Sequence, residues 1–444
     1  MCNRSTFFFS VRTAVVDAHI AESTPATEVK SPSTLLRGRA VLATLFLSGF
    51  MLFGGGLYYF VLLVPVLTDT FHWSRAATGG LVSSFWLAAP IALLGGALLH
   101  SFGPRTMLAA GVIIEATCLL AFSGTSSLSV MYALRALMGL GKVLYAVTIP
   151  ILVARWFRHR FALGCAVAWS GWHVGGLVLS WLGGVLLEHY SWRTTSVAVA
   201  AGMFVVGLVP ALLIIPRDRK VVLQGSRGKG TPEAANSNFG IYRQLFTSAF
   251  FWVIAGGTVC CWFVYSGTLA HQAALVEEGG VTARSASWAL GSTAAFAALG
   301  TLGLGWLAER WSLAAVGILE HALLATGVVG LLVFAHSGSS AALVLHVVCF
   351  GAAIGGCDIF WTTLLKHRVG ETAFSYGYGV WYFFVVITLL IAPIVSGHLY
   401  DLTGSYTTAV LVLLAAAVAA GVIGLAACRG LASAEFKHGF SHGR

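Results

Sequence analysis

The sequence predicts an all-α membrane protein of twelve transmembrane helices, arranged as two six-helix bundles. Three observations carry this. The 444 residues are 58% hydrophobic and only 9% charged, with mean hydropathy +0.86, whereas soluble domains carry about 25% charged residues. Apolar segments of roughly 20 residues, the length that crosses a bilayer, recur near 40–66, 76–99, 106–123, 130–154, 162–187, 194–215, 247–274, 285–308, 313–334, 340–365, 374–400 and 406–427. The second six of these echo the first six.

Residues 1–38 read as a polar N-terminal tail, too polar and too short in apolar run to be a signal-peptide core. Residues 39–216 hold the first bundle. The stretch 217–244 opens with RDRKVVLQGSRGKG, a Gly/Ser/Lys/Arg-rich linker. Residues 245–428 hold the second bundle and 429–444 a short C-terminal tail. With the N-terminus in the cytoplasm, outside loops hold Arg75, Arg193 and Arg284, and Arg135 and Lys142 lie inside a span. The other 21 of the 26 Lys and Arg fall in inside segments. This bias places both termini in the cytoplasm of a cell-membrane protein and requires an even number of spans. The net charge of +10 therefore reports topology and lipid contact, not a nucleic-acid partner.

The repeat has a register. Arg75 matches Arg284 at an offset of 209, and Gly96-Ala-Leu-Leu-His100 matches Gly305-Trp-Leu-Ala-Glu309 at the same offset. Glu115 corresponds to Glu320, and Trp169 to Trp381. Paired six-span repeats are the architecture of transporters that rock two bundles about a midplane site.

Two cations stand in the fourth apolar segment. Arg135 and Lys142 are seven residues apart, about two helical turns, so they share a face. A charge near the bilayer centre costs on the order of 3 kcal/mol. Two of them imply either buried ion-pair partners that hold helices together or the floor of an anion site. Asp358 is the only acid in the tenth segment, able to exchange a proton or to pair with Lys142. Glu115 and Glu320 read as structural, because function rarely needs both repeat copies. His271, which ends the seventh segment, is a candidate for proton coupling. Tyr58, Tyr59, Tyr265 and Trp361 are candidates to shape a pocket, with packing as the plain alternative. The eight cysteines show no metal spacing and imply no disulfide framework. No nucleotide motif occurs, so neither ATP drive nor a cofactor or metal is expected, and scattered histidines without HExxH argue against a membrane enzyme.

Over residues 39–428 the chain resembles the major facilitator superfamily. The superfamily's short-loop motif, Gly-x-x-x-Asp-Arg-x-Gly-x-Arg, appears as Gly96, His100, Ser101, Gly103 and Arg105, with its Asp and first Arg replaced; the second copy, Gly305, Glu309 and Arg310, keeps both charges. The fourth-span pattern Arg-x-x-x-Gly-x-Gly is intact at Arg135, Gly139 and Gly141. Within the superfamily the run Trp156-Phe157-Arg158-His159-Arg160 through Gly171, with Phe71–Arg75 and Tyr400–Tyr406, is similar to the monocarboxylate porter and oxalate–formate antiporter branch. Its acidic-Gly signature before the first span is absent, as are the eighth-span Arg and Asp and the eleventh-span Lys of better-known members. The resemblance implies a secondary transporter working by alternating access, with the first, fourth, seventh and tenth spans around the cavity. It implies Gly96, Gly103, Arg105, Gly305, Glu309 and Arg310 as gating residues, and Arg135 as a residue that pins backbone. Lys142 falls near mid-membrane, with Arg135 about 10 Å further out at ~1.5 Å per residue. The expected substrate is a small organic anion, a monocarboxylate or related carboxylate, moved with protons or by exchange by a monomer. Export of amphiphiles on the same fold is the alternative, weakened because Ser180–Gly184 lacks the Gly-Pro of drug antiporters.

Overall fold

A computed structural model describes residues 32–216, 234–278, 280–281 and 283–441. Twelve helices in it are long and apolar enough to cross a membrane: spans 1–6 are Leu36–Phe71, Ala77–Phe102, Pro104–Ser123, Leu128–Trp156, Arg158–His189 and Trp192–Ile214. Spans 7–12 are Ala249–Gln272, Trp288–Leu307, Leu313–Ser337, Ser340–Gly370, Ala373–Thr403 and Thr407–Arg429. Among the described residues there is no strand. Helices are the outcome physics allows here, since backbone N–H and C=O groups in lipid must be satisfied within the segment.

Most spans are apolar all round, so each buries one side and offers the other to lipid. Span 12 buries Val410, Leu413 and Ala417 and leaves Leu411, Val418 and Val422 exposed. The turns obey local rules. Ser74, Ser191 and Ser312 cap the helices that follow by accepting from the amides of Ala77, Thr194 and Ala315, each at 3.2 Å. Gly103, at φ 81°, ends span 2, and Pro104 occupies the first turn of span 3. Spans 10 and 11 meet at Gly370, φ 77°.

Several spans depart from the regular α-helix; span 6, for one, carries a π-turn at Met203–Leu208. Span 1 carries a π-turn at Gly54–Tyr58. Span 2 runs as a 3₁₀ helix over Phe85–Leu94 around Pro90. In span 11, Pro393 removes the amide that Leu389 would accept from, and the Ser266 hydroxyl of span 7 donates to that carbonyl instead at 3.1 Å.

The described residues from Val41 onward form one compact unit. Within it, the repeat read from sequence has a physical form on the side where span 2 ends, here called the termini side because an even number of spans returns the chain to it. A Cβ on Gly96 would sit 2.6 Å from the Cα of Tyr376 in span 11, and a Cβ on Gly379 2.6 Å from the Ala92 carbonyl of span 2. In the other copy, Gly305 of span 8 abuts Ala166 and Ala162 of span 5. Spans 2 and 11, and spans 8 and 5, thus close on each other through small residues.

The expected tail 1–38 and linker 217–244 lie partly outside the described residues, as do 442–444. Within them, one helix begins at Pro32, and another covers Ala234–Thr247. Tyr242 of the latter donates to the Leu93 carbonyl of span 2 at 2.8 Å. The helix of span 12 continues to Ser441.

Candidate functional site

The site is built on span 4. Arg135 is fully buried, and its guanidinium is committed to backbone. Nη1 donates to the Gly56 carbonyl in the π-turn of span 1 at 2.7 Å, and Nε donates to the Leu81 carbonyl of span 2 at 3.2 Å. The faces of Phe60 and Phe85 sandwich it, at 3.6 and 4.6 Å from the ring centroids. The two glycines of its motif have a matching purpose. Gly139 brings the Phe85 carbonyl of span 2 against span 4, and Gly141 lets the Gly111 carbonyl of span 3 approach, its Cβ position being 2.6 Å away. Arg135 thus spends its donors on the backbone of spans 1 and 2, and only its Nη2 has no hydrogen-bond partner.

Lys142 differs. It is 1% exposed, and its ammonium has no hydrogen-bond partner. It lies over the face of Phe53 in span 1 and 4.1 Å from the Trp172 ring of span 5. These two rings stack at 4.1 Å between centroids. Trp172 is held by its Nε1–H to the Tyr145 hydroxyl at 3.1 Å, which in turn donates to the Leu45 carbonyl at 3.0 Å. Aromatic faces stabilise a buried cation by about 2 kcal/mol at best, far short of what an ammonium loses on leaving water.

The electrostatic partners of Lys142 are Glu115 of span 3 and Asp358 of span 10. Glu115 is fully buried, touches Gly56 and Gly141, interacts with both Lys142 and Arg135, and has neither carboxylate oxygen hydrogen-bonded. Asp358 interacts across to Lys142 and with Tyr265, Tyr378 and Tyr382 on its own half. Buried polar groups are nearly always paired. Here the Lys142 ammonium, both Glu115 oxygens and one Arg135 nitrogen are not.

Of the other candidates, Tyr58 of span 1 and Tyr265 of span 7 interact with each other. Tyr59 points elsewhere: its hydroxyl meets Ser196 at 3.0 Å and the Trp192 carbonyl at 3.4 Å in span 6. One helical step of about 100° turns it from the direction of Tyr58 toward span 6. Trp361 is likewise core, fully buried against Gly257 of span 7 and edge-on to His321. His271 spends both ring nitrogens within the second half, on the Tyr406 hydroxyl at 3.1 Å and the Pro393 carbonyl at 2.9 Å. Glu309 accepts from the Leu163 amide at 3.1 Å, in the first turn of the span 5 helix, whose amides lack helical partners. His100, its repeat partner, meets Ser375 in the first turn of span 11 at 3.0 Å and stacks on Tyr376. Arg310, just past the end of span 8, stacks on Trp306 of that span, and Arg105 is half-buried at the start of span 3. A groove of about 600 Å³ lined by Leu411, Leu414, Val418 and Val422 is uncharged and lies apart from these groups.

The sequence reads Glu115 as structural and does not single out Phe53 or Trp172. For Glu115 the signal existed, a carboxylate in an apolar segment. For the two aromatics no local signal exists.

The family model of the Major Facilitator Superfamily matches residues 45–385. The chain belongs to the Major Facilitator Superfamily. It is a membrane-spanning transporter of small molecules rather than an enzyme. Human monocarboxylate transporter 12 is 25% identical over 350 residues, which cover 73% of this chain and 67% of that one. Rat monocarboxylate transporter 13 is 25% identical over 322 residues, 72% of each. Among solved structures, the E. coli fucose:proton symporter superposes with TM-score 0.65 at 15% identity, covering 87% of this chain and 98% of that one. A structure of that transporter in the outward conformation gives TM-score 0.68, at 15% identity over 86% and 97%. These two establish the fold.

Proposed function

We propose that this superfamily member is a secondary active carrier of a small organic anion, a monocarboxylate or related carboxylate. In this reading Lys142 binds the carboxylate, and Asp358 and Glu115 couple its passage to protons or to exchange. The observation that carries it is the buried Lys142 ammonium, hydrogen-bonded to nothing and set between carboxylates on spans 3 and 10. An incoming carboxylate would supply the charge-assisted hydrogen bonds that the ammonium lacks. The names of the relatives point to the same substrate class.

In this reading the protein works by alternating access. The Tyr58–Tyr265 pair closes the site on the side away from the termini, and Gly96, Gly305, Glu309 and His100 close the termini side; the contacts among these residues support it. Release toward either side requires the contacts on that side to part. We place the protein as a monomer in the cell membrane with both termini cytoplasmic, on the Lys/Arg asymmetry of the loops.

The test is uptake into proteoliposomes of a panel of short-chain carboxylates and of amphiphilic cations, with and without an inward proton gradient. Carboxylate uptake supports the reading. Movement of amphiphiles without carboxylate uptake would replace it with efflux of drug-like compounds.

A further inference from the structure

Glu320, on span 9, is the repeat partner of Glu115, and both are fully buried. Their company differs. Glu115 has Arg135 and Lys142 beside it. Spans 7 and 9 contain no Lys or Arg, and the groups at Glu320 are sulfur and imidazole. Cys261 Sγ of span 7 lies 3.7 Å from Glu320 Oε1. Glu320 Oε2 lies 2.6 Å from His321 Nδ1, but that nitrogen also lies 2.8 Å from the Gly317 carbonyl, and Oε2 has no properly directed hydrogen bond. The ligand atoms of Cys261, Glu320 and His321 all fall within 4.8 Å of one another.

A second sulfur adjoins the first of these three donors. The sulfur of Cys357, on span 10, contacts that of Cys261, a pairing that the cysteine spacing did not suggest. Their Cα atoms are 7.0 Å apart, beyond the ~4.4–6.8 Å that most disulfides bridge, whereas a bridging ion tolerates wider spacing. All four residues are at most 5% exposed. Unless His321 is protonated, the carboxylate sealed among these groups has no positive charge beside it.

We propose that reduced Cys261 and Cys357, with Glu320 and His321, form a buried tetrahedral site for a zinc-class divalent cation. Two sulfurs, one nitrogen and one oxygen are a donor set that such an ion accepts. Binding replaces the two thiol protons, which leave to solvent, and His321 ligates as the neutral imidazole. If the cysteines are oxidised, a thiol reductant must first supply two electrons and two protons. The occupied site ties spans 7, 9 and 10 together inside the second half. It is independent of the carboxylate reading.

The test uses tag-free full-length protein, purified in detergent, reduced with a phosphine and stripped by chelator. Zinc is then counted by mass spectrometry, and cobalt is added as a spectroscopic probe. About one ion per chain is expected, with near-ultraviolet thiolate-to-cobalt absorption, tetrahedral visible bands and a raised melting temperature. Cys261→Ser and Glu320→Gln should weaken binding at least about tenfold, while Cys260→Ser, one residue away, should not. Absence of the thiolate–cobalt band in the wild type overturns the proposal without reliance on any variant. So does a Cys261→Ser protein that binds zinc as the wild type does.

Discussion

Arg135 and Lys142 are two buried cations on one face of one helix, yet their surroundings differ. Arg135 spends its donors on the Gly56 and Leu81 carbonyls and its faces on Phe60 and Phe85. Lys142 spends no hydrogen bond. Hydrogen bonds to a charged group contribute about 1.5–3 kcal/mol each, so Arg135→Ala should lower the thermal stability of the purified protein by several kcal/mol. Arg135→Lys should recover little, because a point charge cannot reach both carbonyls. Lys142→Met should leave stability unchanged or raise it, since it removes a poorly compensated buried charge, while transport fails. Scanning calorimetry or dye-based melting separates these outcomes. Residue-scale reading of the sequence found both cations and their depth. It set Glu115 aside because its repeat partner suggested symmetry without function. In the structure the equal positions of the two copies meet different neighbours, cations for Glu115 and sulfur for Glu320. It also separates Tyr58 from Tyr59, which composition cannot do, because one helical step turns one toward the other half and the next toward span 6.

At the scale of elements, the termini-side closure is built twice with different chemistry. Glu309 puts a carboxylate on the first-turn amide of Leu163 in span 5, where the helix dipole favours negative charge. His100, at the equivalent place on span 11, offers an imidazole to Ser375. His100→Asp would restore a carboxylate to that helix start. A favourable dipole contact contributes about 1 kcal/mol, roughly a fivefold shift toward closure. Distance distributions between spin labels on the ends of spans 2 and 11 should show the closed population rise in His100→Asp and fall in Glu309→Gln. The Gly96–Gly305 repeat that carries this geometry was legible in the sequence, and so was the loss of the acid at His100. What was not legible was which helix each half-motif grips, because that contact joins residues 275 positions apart.

At the scale of the whole molecule, spans 4 and 10 bring the candidate anion site together from both halves: Lys142 from one and Asp358 from the other. A carrier of this design couples substrate and proton because the acid and the anion compete for one cation. Asp358→Asn should therefore abolish the response of uptake to an imposed proton gradient while sparing exchange of carboxylate for carboxylate. Parallel gradient-driven and exchange assays on the same vesicles check this. The twelve-helix fold and its twofold repeat follow from apolar segment lengths and a 209-residue offset, signals that survive without tertiary information. The site needed coordinates, since Phe53, Trp172 and Glu115 join Lys142 from three other spans.

The central claim is that Lys142 carries the anion's charge. Counterflow of the best carboxylate in proteoliposomes, at equal pH on both sides, isolates binding and translocation from proton coupling. The account predicts that Lys142→Ala loses tenfold to a hundredfold or more of the wild-type rate at subsaturating substrate, the equivalent of one charge-assisted contact of ~1.5–3 kcal/mol. A Lys142→Ala protein that exchanges the carboxylate at the wild-type rate contradicts it.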